Sequence, residues 1–250
     1  MTPTGHSIPK PSGFTFEDVP IEYDLAGNII YPESDGQPLS NNTEHMDWIV
    51  YLHDGLTEHF RADPGVLVAS DLLWYPVEGN PSIRCAPDVM VILGVPKGRR
   101  GSFQQWKEGG VAPQVVFEII SPGNTVQEML TKQAFFSAYG VEEYYLYDCQ
   151  ANHLQIWLHN GPGLSPVPEV DVEGWTSPRL GMRFWLHRAK GLTVELPNGK
   201  AMMTYAEVNE QRAAAETARL EAETARTAAE AERDRLIAKL REMGIDPESV

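Results

Sequence analysis

Cysteine is scarce in this chain. Only Cys85 and Cys149 occur among 250 residues, in separate apolar runs and without CxxC spacing, and with no secretory signal ahead of them a reduced, cytoplasmic protein is expected. Long hydrophobic runs are missing too: none reaches the roughly 18 residues that cross a bilayer, which excludes a membrane protein. Cations are in the minority, with Lys and Arg at 20 against 35 Asp and Glu and a net charge of -15. Such a balance argues against non-specific clinging to nucleic acid, which needs a clustered cationic surface, but it leaves room for a local cationic groove. The signatures HExxH, GxxxxGK[ST] and GxSxG are absent, and His53 and His59 are spaced wrongly to share a metal. Zinc-peptidase, nucleoside-triphosphatase and serine-hydrolase readings drop out with them.

What is present is ordinary globular material, 42% hydrophobic and 22% charged, enough for one sizeable core and an appendage. Residues 1–20 are rich in Pro, Gly and Ser and read as an N-terminal arm. Met46, Ile49, Val50, Leu52, Leu56 and Phe60 fall near helical spacing, so a first long helix is expected from about Asn42 to Phe60. Short β-branched runs over 65–75, 87–93 and 114–120 read as strands, the third central because it is apolar nearly throughout. Thr125 and Glu128 fit a capping box that opens a second helix, stopped by Gly140. Strands are expected again at 143–148 and 153–159, giving a strand-helix-strand crossover in a mixed sheet. The segment 161–197 carries three weak strand patterns and is expected as a hairpin addition.

Two acidic residues stand out because each interrupts an apolar strand: Asp88 in Pro87-Asp88-Val89-Met90-Val91 and Glu118 in Val116-Phe117-Glu118-Ile119-Ile120. A carboxylate inside a buried strand costs several kcal/mol unless a cation or donors compensate it. A shared hard cation such as Mg²⁺, bound through oxygen with open positions for a phosphate, would account for both. Singly, each has a plainer reading: Asp88 starts a strand, and Glu118 faces solvent at a sheet edge. Lys132 lies on the helix side shared by Thr125, Glu128, Phe136 and Tyr139. It either points back to the sheet, where an ammonium would stabilise phosphate charge, or pairs at i, i+4 with Glu128. The loop from Pro96 to Lys107 is the densest basic patch outside the tail. Its Lys97, Arg99, Arg100 and Lys107, interleaved with Phe103 and Trp106, are candidate nucleic-acid contacts.

From Tyr205 the composition shifts to Ala, Glu and Arg. Ala215, Ala222, Ala229, Leu236 and Met243 recur every seventh residue, with Ala218 and Ala225 between them. This is a coiled-coil register. Arg212, Arg219, Arg226 and Arg233 repeat with the same period beside Glu216, Glu223 and Glu230, while Glu232 and Lys239 interrupt the seam, so a solvated single helix competes with self-association.

Pro87-Asp88-Val89, then Phe117-Glu118-Ile119-Ile120-Ser121-Pro122, then Lys132, then Gly140 through Asp148 resemble, in order, the Uma-two (Uma2) family of restriction-endonuclease-like proteins within the PD-(D/E)XK nuclease superfamily. The resemblance covers roughly residues 20 to 190. It implies an α/β fold, a restriction-endonuclease-like core with a central mixed β-sheet flanked by helices, followed by a C-terminal helical coiled-coil tail. The implied divisions are an arm at 1–20, a nuclease domain at 21–190, a connector at 191–205 and a helix at 206–243. The implied activity is metal-dependent hydrolysis of DNA phosphodiester bonds, with Mg²⁺ or Mn²⁺ held by Asp88, Glu118 and the main-chain carbonyl of Ile119. The superfamily's usual lysine position holds Ile120, and Lys132 on the next helix stands in for it. Glu128 replaces a common aspartate and Phe136 a common tyrosine. The implied partners are DNA and, through the tail, a second copy of the chain. A catalytically inactive nucleic-acid-binding or oligomerisation protein on the same fold is the alternative, as is a hydrolase of some other phosphodiester.

Overall fold

Asn42 fixes the start of the first helix by accepting a hydrogen bond from the His45 N–H, and α1 runs Thr43–His59 with Ile49, Tyr51, Leu52 and Leu56 buried along one side. The computed structural model describes residues 19–36 and 42–244, so residues 1–18 of the expected arm lie outside the described residues. The run expected as a single strand over 65–75 is divided into β1 (Val66–Ala69) and β2 (Trp74–Tyr75). The break lies at Asp71, whose φ of 48° is left-handed backbone and whose N–H donates to the Pro87 carbonyl at 3.0 Å. Beyond this turn β2 leaves the sheet and pairs in parallel with β4 (Phe103–Gln104).

The main sheet is built from β1, β3 (Val89–Leu93), β5 (Val115–Ile120), β6 (Glu143–Asp148), β7 (His153–His159) and β8 (Leu164–Pro166), in the order β1-β3-β5-β6-β7-β8. Neighbours are antiparallel except β5 and β6, which are parallel. A parallel pair needs a crossover, and α2 (Val126–Tyr139) supplies it. Thr125 and Glu128 form the expected capping box, and Gly140 ends the helix with φ 99°.

Side chains alternate across a strand, and here both faces are covered, which is why β3 and β5 are apolar almost without interruption. On the α1 face, Val89, Val91, Val115, Phe117 and Ile119 pack with Ile49, Leu52 and Leu56. On the α2 face, Met90, Ile92, Val116, Tyr144 and Leu146 pack with Met129, Phe135, Phe136 and Tyr139. Each fully buried aromatic contributes roughly 2–3 kcal/mol. Phe136 belongs to this layer, 5.2 Å from the Tyr144 ring.

The segment 161–197 is more than a hairpin. β8 extends the main sheet, while β9 (Trp175–Thr176), β10 (Arg183–His187) and β11 (Gly191–Glu195) make a three-stranded sheet in the order β11-β10-β9. Phe184, Leu192 and Val194 carry it onto the α1-side core. Gly191 is held close: a Cβ there would meet the Trp48 ring and the Tyr147 hydroxyl at 2.7 Å. Residues 191–202, expected to open a connector, thus belong to the domain, with Leu192, Val194 and Met202 buried. Contacts divide the chain at this point into a first unit ending at Met202 and a second beginning at Met203. In the second, Thr204 and Glu207 form a capping box and α3 runs Tyr205–Glu242 without a buried residue.

Candidate functional site

Glu118 and Asp88 come together because β3 and β5 pair with Val89 opposite Phe117. In β5, Phe117 and Ile119 face α1, so Glu118 between them points to the α2 face. It is 2% exposed, which removes the reading of a solvent-facing edge residue. Lys132 reaches it from α2 and donates to Glu118 Oε2 at 2.7 Å. The alternative pairing of Lys132 with Glu128 does not form. Glu128 accepts instead from Asn124 Nδ2 at 3.1 Å and the Thr125 N–H at 3.4 Å, closing its own helix cap.

Asp88 stands one residue before β3, where the ladder to β5 has ended. Its Oδ2 takes the place of the next ladder acceptor, receiving the Ile119 N–H at 2.7 Å. The N–H and C=O of one strand residue leave on the same side, so the Ile119 carbonyl projects toward Asp88 as well. The same Oδ2 lies 3.2 Å from His45 Nε2. His45 is the residue that pattern reading missed: it is 5% exposed, and it sits in the first turn of α1, whose cap Asn42 holds its backbone N–H. The cap signal was legible, but a partner 43 residues away was not. Asp71, also unforeseen, turns its charge toward the group. Partial burial and then the Asp35 and Asp88 charges raise its pKa, against the pull of Lys132.

Two atoms are left over. Glu118 Oε1 and His45 Nδ1 are buried and have no hydrogen-bond partner among the described residues. Burial pushes the Glu118 carboxyl upward while Lys132 opposes it. Burial likewise works against the Lys132 charge, but Glu118 and then the other acidic groups, Asp88 among them, outweigh it and hold the ammonium firmly protonated. The nearby Cys85 thiol is pushed up to about 12 by burial, which removes it as a nucleophile near neutral pH.

Among the described residues no trio of His, Cys, Asp and Glu side chains converges as a ready-made metal cage. Mg²⁺ does not require one, since it is commonly held by one or two carboxylates, with waters and substrate phosphate completing its shell. Asp88, Glu118 and the Ile119 carbonyl are a hard oxygen set of that kind, and a buried carboxylate oxygen without a donor is what such a cation would satisfy.

The basic loop is less available than its composition implies. Lys97 Nζ donates to the Phe60 and Arg61 carbonyls at 2.5 and 3.0 Å. Arg100 is paired with Glu108 at 2.6 Å and also bonds the Gly98 and Pro96 carbonyls. Arg99 and Lys107 are exposed. No described helix is long and apolar enough to cross a membrane.

No curated protein matches the chain. Among solved structures, a protein from Anabaena variabilis ATCC 29413, described as a putative nuclease belonging to DUF820, is similar at 13% identity and a TM-score of 0.45, over 63% of this chain and 81% of that one. The family described as "Putative restriction endonuclease" matches over residues 16–195, a span that holds the whole carboxylate-lysine site and all eleven strands of the described residues. The chain therefore belongs to the Uma2 family.

Proposed function

We propose that this chain is a divalent-metal-dependent endonuclease that hydrolyses DNA phosphodiester bonds with water as the nucleophile. The observation that carries the reading is the buried Glu118 Oε1, which has no donor among the described residues and lies in a carboxylate whose partner Oε2 is already held by Lys132. A buried polar atom without a partner is uncommon, and a bound ion is one way to satisfy it. Asp88, Glu118 and the Ile119 carbonyl would hold Mg²⁺ or Mn²⁺, which when bound polarises a phosphodiester and generates hydroxide near neutral pH.

The chain's own residues do the remaining work. The Ile119 N–H and His45 fix Asp88 in one orientation, so that it is already positioned when the cation arrives. Lys132 neutralises Glu118 through one of three ammonium donors and keeps the others for a phosphate oxygen. Arg99, exposed in the loop after β3, and Lys107, exposed in the 3-10 turn that follows β4, supply backbone contacts to the nucleic acid. Incubation of a supercoiled plasmid with purified protein should give nicked or linear DNA with Mg²⁺ or Mn²⁺ and none with EDTA. DNA binding without cleavage under every divalent ion would favour the inactive nucleic-acid-binding module instead.

We infer that the tail adds self-association through its heptad seam. A 38-residue helix with no buried residue leaves Leu220 and Leu236 half-exposed on its surface. Its charge repeat forms i, i+3 and i, i+4 pairs, Arg219 with Glu216 and Arg226 with Glu230. Alanine knobs bury little area, so association should be modest and concentration-dependent. Sedimentation of the full chain should show it, and a chain ending at Met202 should stay monomeric. A full chain that is monomeric at high concentration makes α3 a solvated helix.

A further inference from the structure

We propose that a pocket beside the carboxylates receives a nucleobase turned out of its stack; the proposal rests on the nuclease reading and names the part of the substrate that the carboxylates do not touch. The pocket opens between the first turns of α2 and the α2 face of β6 and β7. Its nearest wall is Ile120, two residues beyond Glu118 in β5 and on the same face, hence about 6.6 Å along the strand. Gln133, the next residue after Lys132, forms part of another wall. A strand whose phosphate lies at Glu118 and Lys132 thus has an adjacent base within reach of the opening.

The lining describes its guest. None of the lining side chains is charged, although an ion pair and Asp88 lie next door, so the phosphate backbone is excluded and an uncharged ring is favoured. The half-buried Trp157 supplies aromatic surface, backed by the fully buried Tyr144 ring, 5.0 Å away and 26° from parallel. Stacking on such surface accepts any base. The carboxamides of Gln133 and Gln155 line the pocket as well, and neither makes a hydrogen bond among the described residues. Carboxamides present a donor and an acceptor together, which matches the edge of a heterocycle. The Tyr144 hydroxyl, buried and without a partner among the described residues, is a further unmet polar group of the lining. The volume, about 230 Å³, lies below the roughly 300–1,000 Å³ of pockets that take drug-sized ligands and suits one ring system. The mouth is apolar, with Val126 and Leu130 exposed on α2.

The test compares two oligodeoxynucleotides that differ at one nucleotide, complete in one and abasic in the other, bound to the full-length protein with Ca²⁺ in place of Mg²⁺ and checked on a gel for intactness. Wild type should bind the complete strand about tenfold more tightly, in line with the stacking of one base. Leu130→Trp fills the mouth from a half-exposed position, and Trp157→Ala removes the stacking surface. Either should bring the ratio near one while leaving affinity for the abasic strand unchanged. Since Trp157 also supports Tyr144, Leu130→Trp is the decisive variant if Trp157→Ala unfolds. Equal affinity of wild type for the two strands overturns the pocket, as does failure to bind either. Discrimination that persists where a plasmid stays uncut in Mg²⁺ supports the pocket and removes the nuclease reading on which it was built.

Discussion

Two glutamates of neighbouring strands are buried to the same degree, Glu118 in β5 and Glu143 in β6, each 2% exposed. Their surroundings differ. Glu143 is saturated with donors: Tyr145 Oη at 2.7 Å, Ser177 Oγ at 2.5 Å and the Arg179 N–H at 2.6 Å. These donors tie the three-stranded sheet region to the main sheet, and Arg179 adds an ion pair with Glu142. Glu118 has one side-chain donor, Lys132, with the Asp88 main chain also favouring its charge, and its Oε1 has no hydrogen-bond partner among the described residues. Equal burial thus hides two different environments, and the unpartnered oxygen, not the burial, is what singles out Glu118 as a candidate.

The sharpest way to break this comparison is to remove the charge from each in turn. Glu118→Gln should abolish plasmid cleavage and weaken Mg²⁺ binding at least tenfold by calorimetry with the fold retained, and Asp88→Asn should do the same. Glu143→Gln should leave Mg²⁺ affinity unchanged but lower the melting temperature, on the order of 5–10 °C for a loss of a few kcal/mol of charge-assisted bonding. Equal effects on metal affinity at positions 118 and 143 would erase the distinction.

A smaller effect is expected at the single donor. Lys132→Ala should slow cleavage roughly a hundredfold with little change in metal affinity. Ile120→Lys in that background should restore part of the rate if both positions aim an ammonium at one phosphate. Wild-type rates in Lys132→Ala would show that the lysine serves the fold alone.

The smallest effect is on stability and depends on pH. Burial raises the Glu118 pKa and Lys132 opposes the rise, so in Lys132→Ala the folded-state value stands still higher above the unfolded one. A group raised in this way contributes fully below its unfolded pKa and loses that contribution as pH rises through the folded value. In EDTA, Lys132→Ala should match wild type most closely at mildly acidic pH and fall behind toward neutral and alkaline pH, at up to about 1.4 kcal/mol per pH unit. A pH-independent difference in urea unfolding would show that Glu118 is not buried as a charge.

The same contrast explains what was legible in the sequence. Local pattern sufficed for α1, β3, β5, α2, β6 and β7, because helix caps, glycine stops and short apolar runs act within a few residues. Asp88, Glu118 and Lys132 were readable as acids in apolar runs and a lysine among aromatics. Glu143, at the head of an equally buried strand, was not distinguished, since two of its three donors lie 34 and 36 residues downstream. The division of the 65–75 run was hidden in the backbone of Asp71, which adopts φ 48°, a conformation Asp tolerates but does not signal, and bonds the distant Pro87 carbonyl. The small sheet from Trp175 to Glu195 was equally obscured, because its strands are short and its pairing is fixed by packing on the α1-side core.

The bond from the Ile119 N–H to Asp88 Oδ2 makes one carboxylate continue the ladder that positions the other. Their spacing is accordingly a property of main-chain registry rather than of two independent rotamers. Without β5 against β3, Asp88 would lose the main-chain donor that holds it. The two acids come into register only when the antiparallel pair closes, and Lys132 joins them only when the following helix docks. The cluster of two acids and a lysine is thus a product of the completed fold and cannot form on any one of its elements alone.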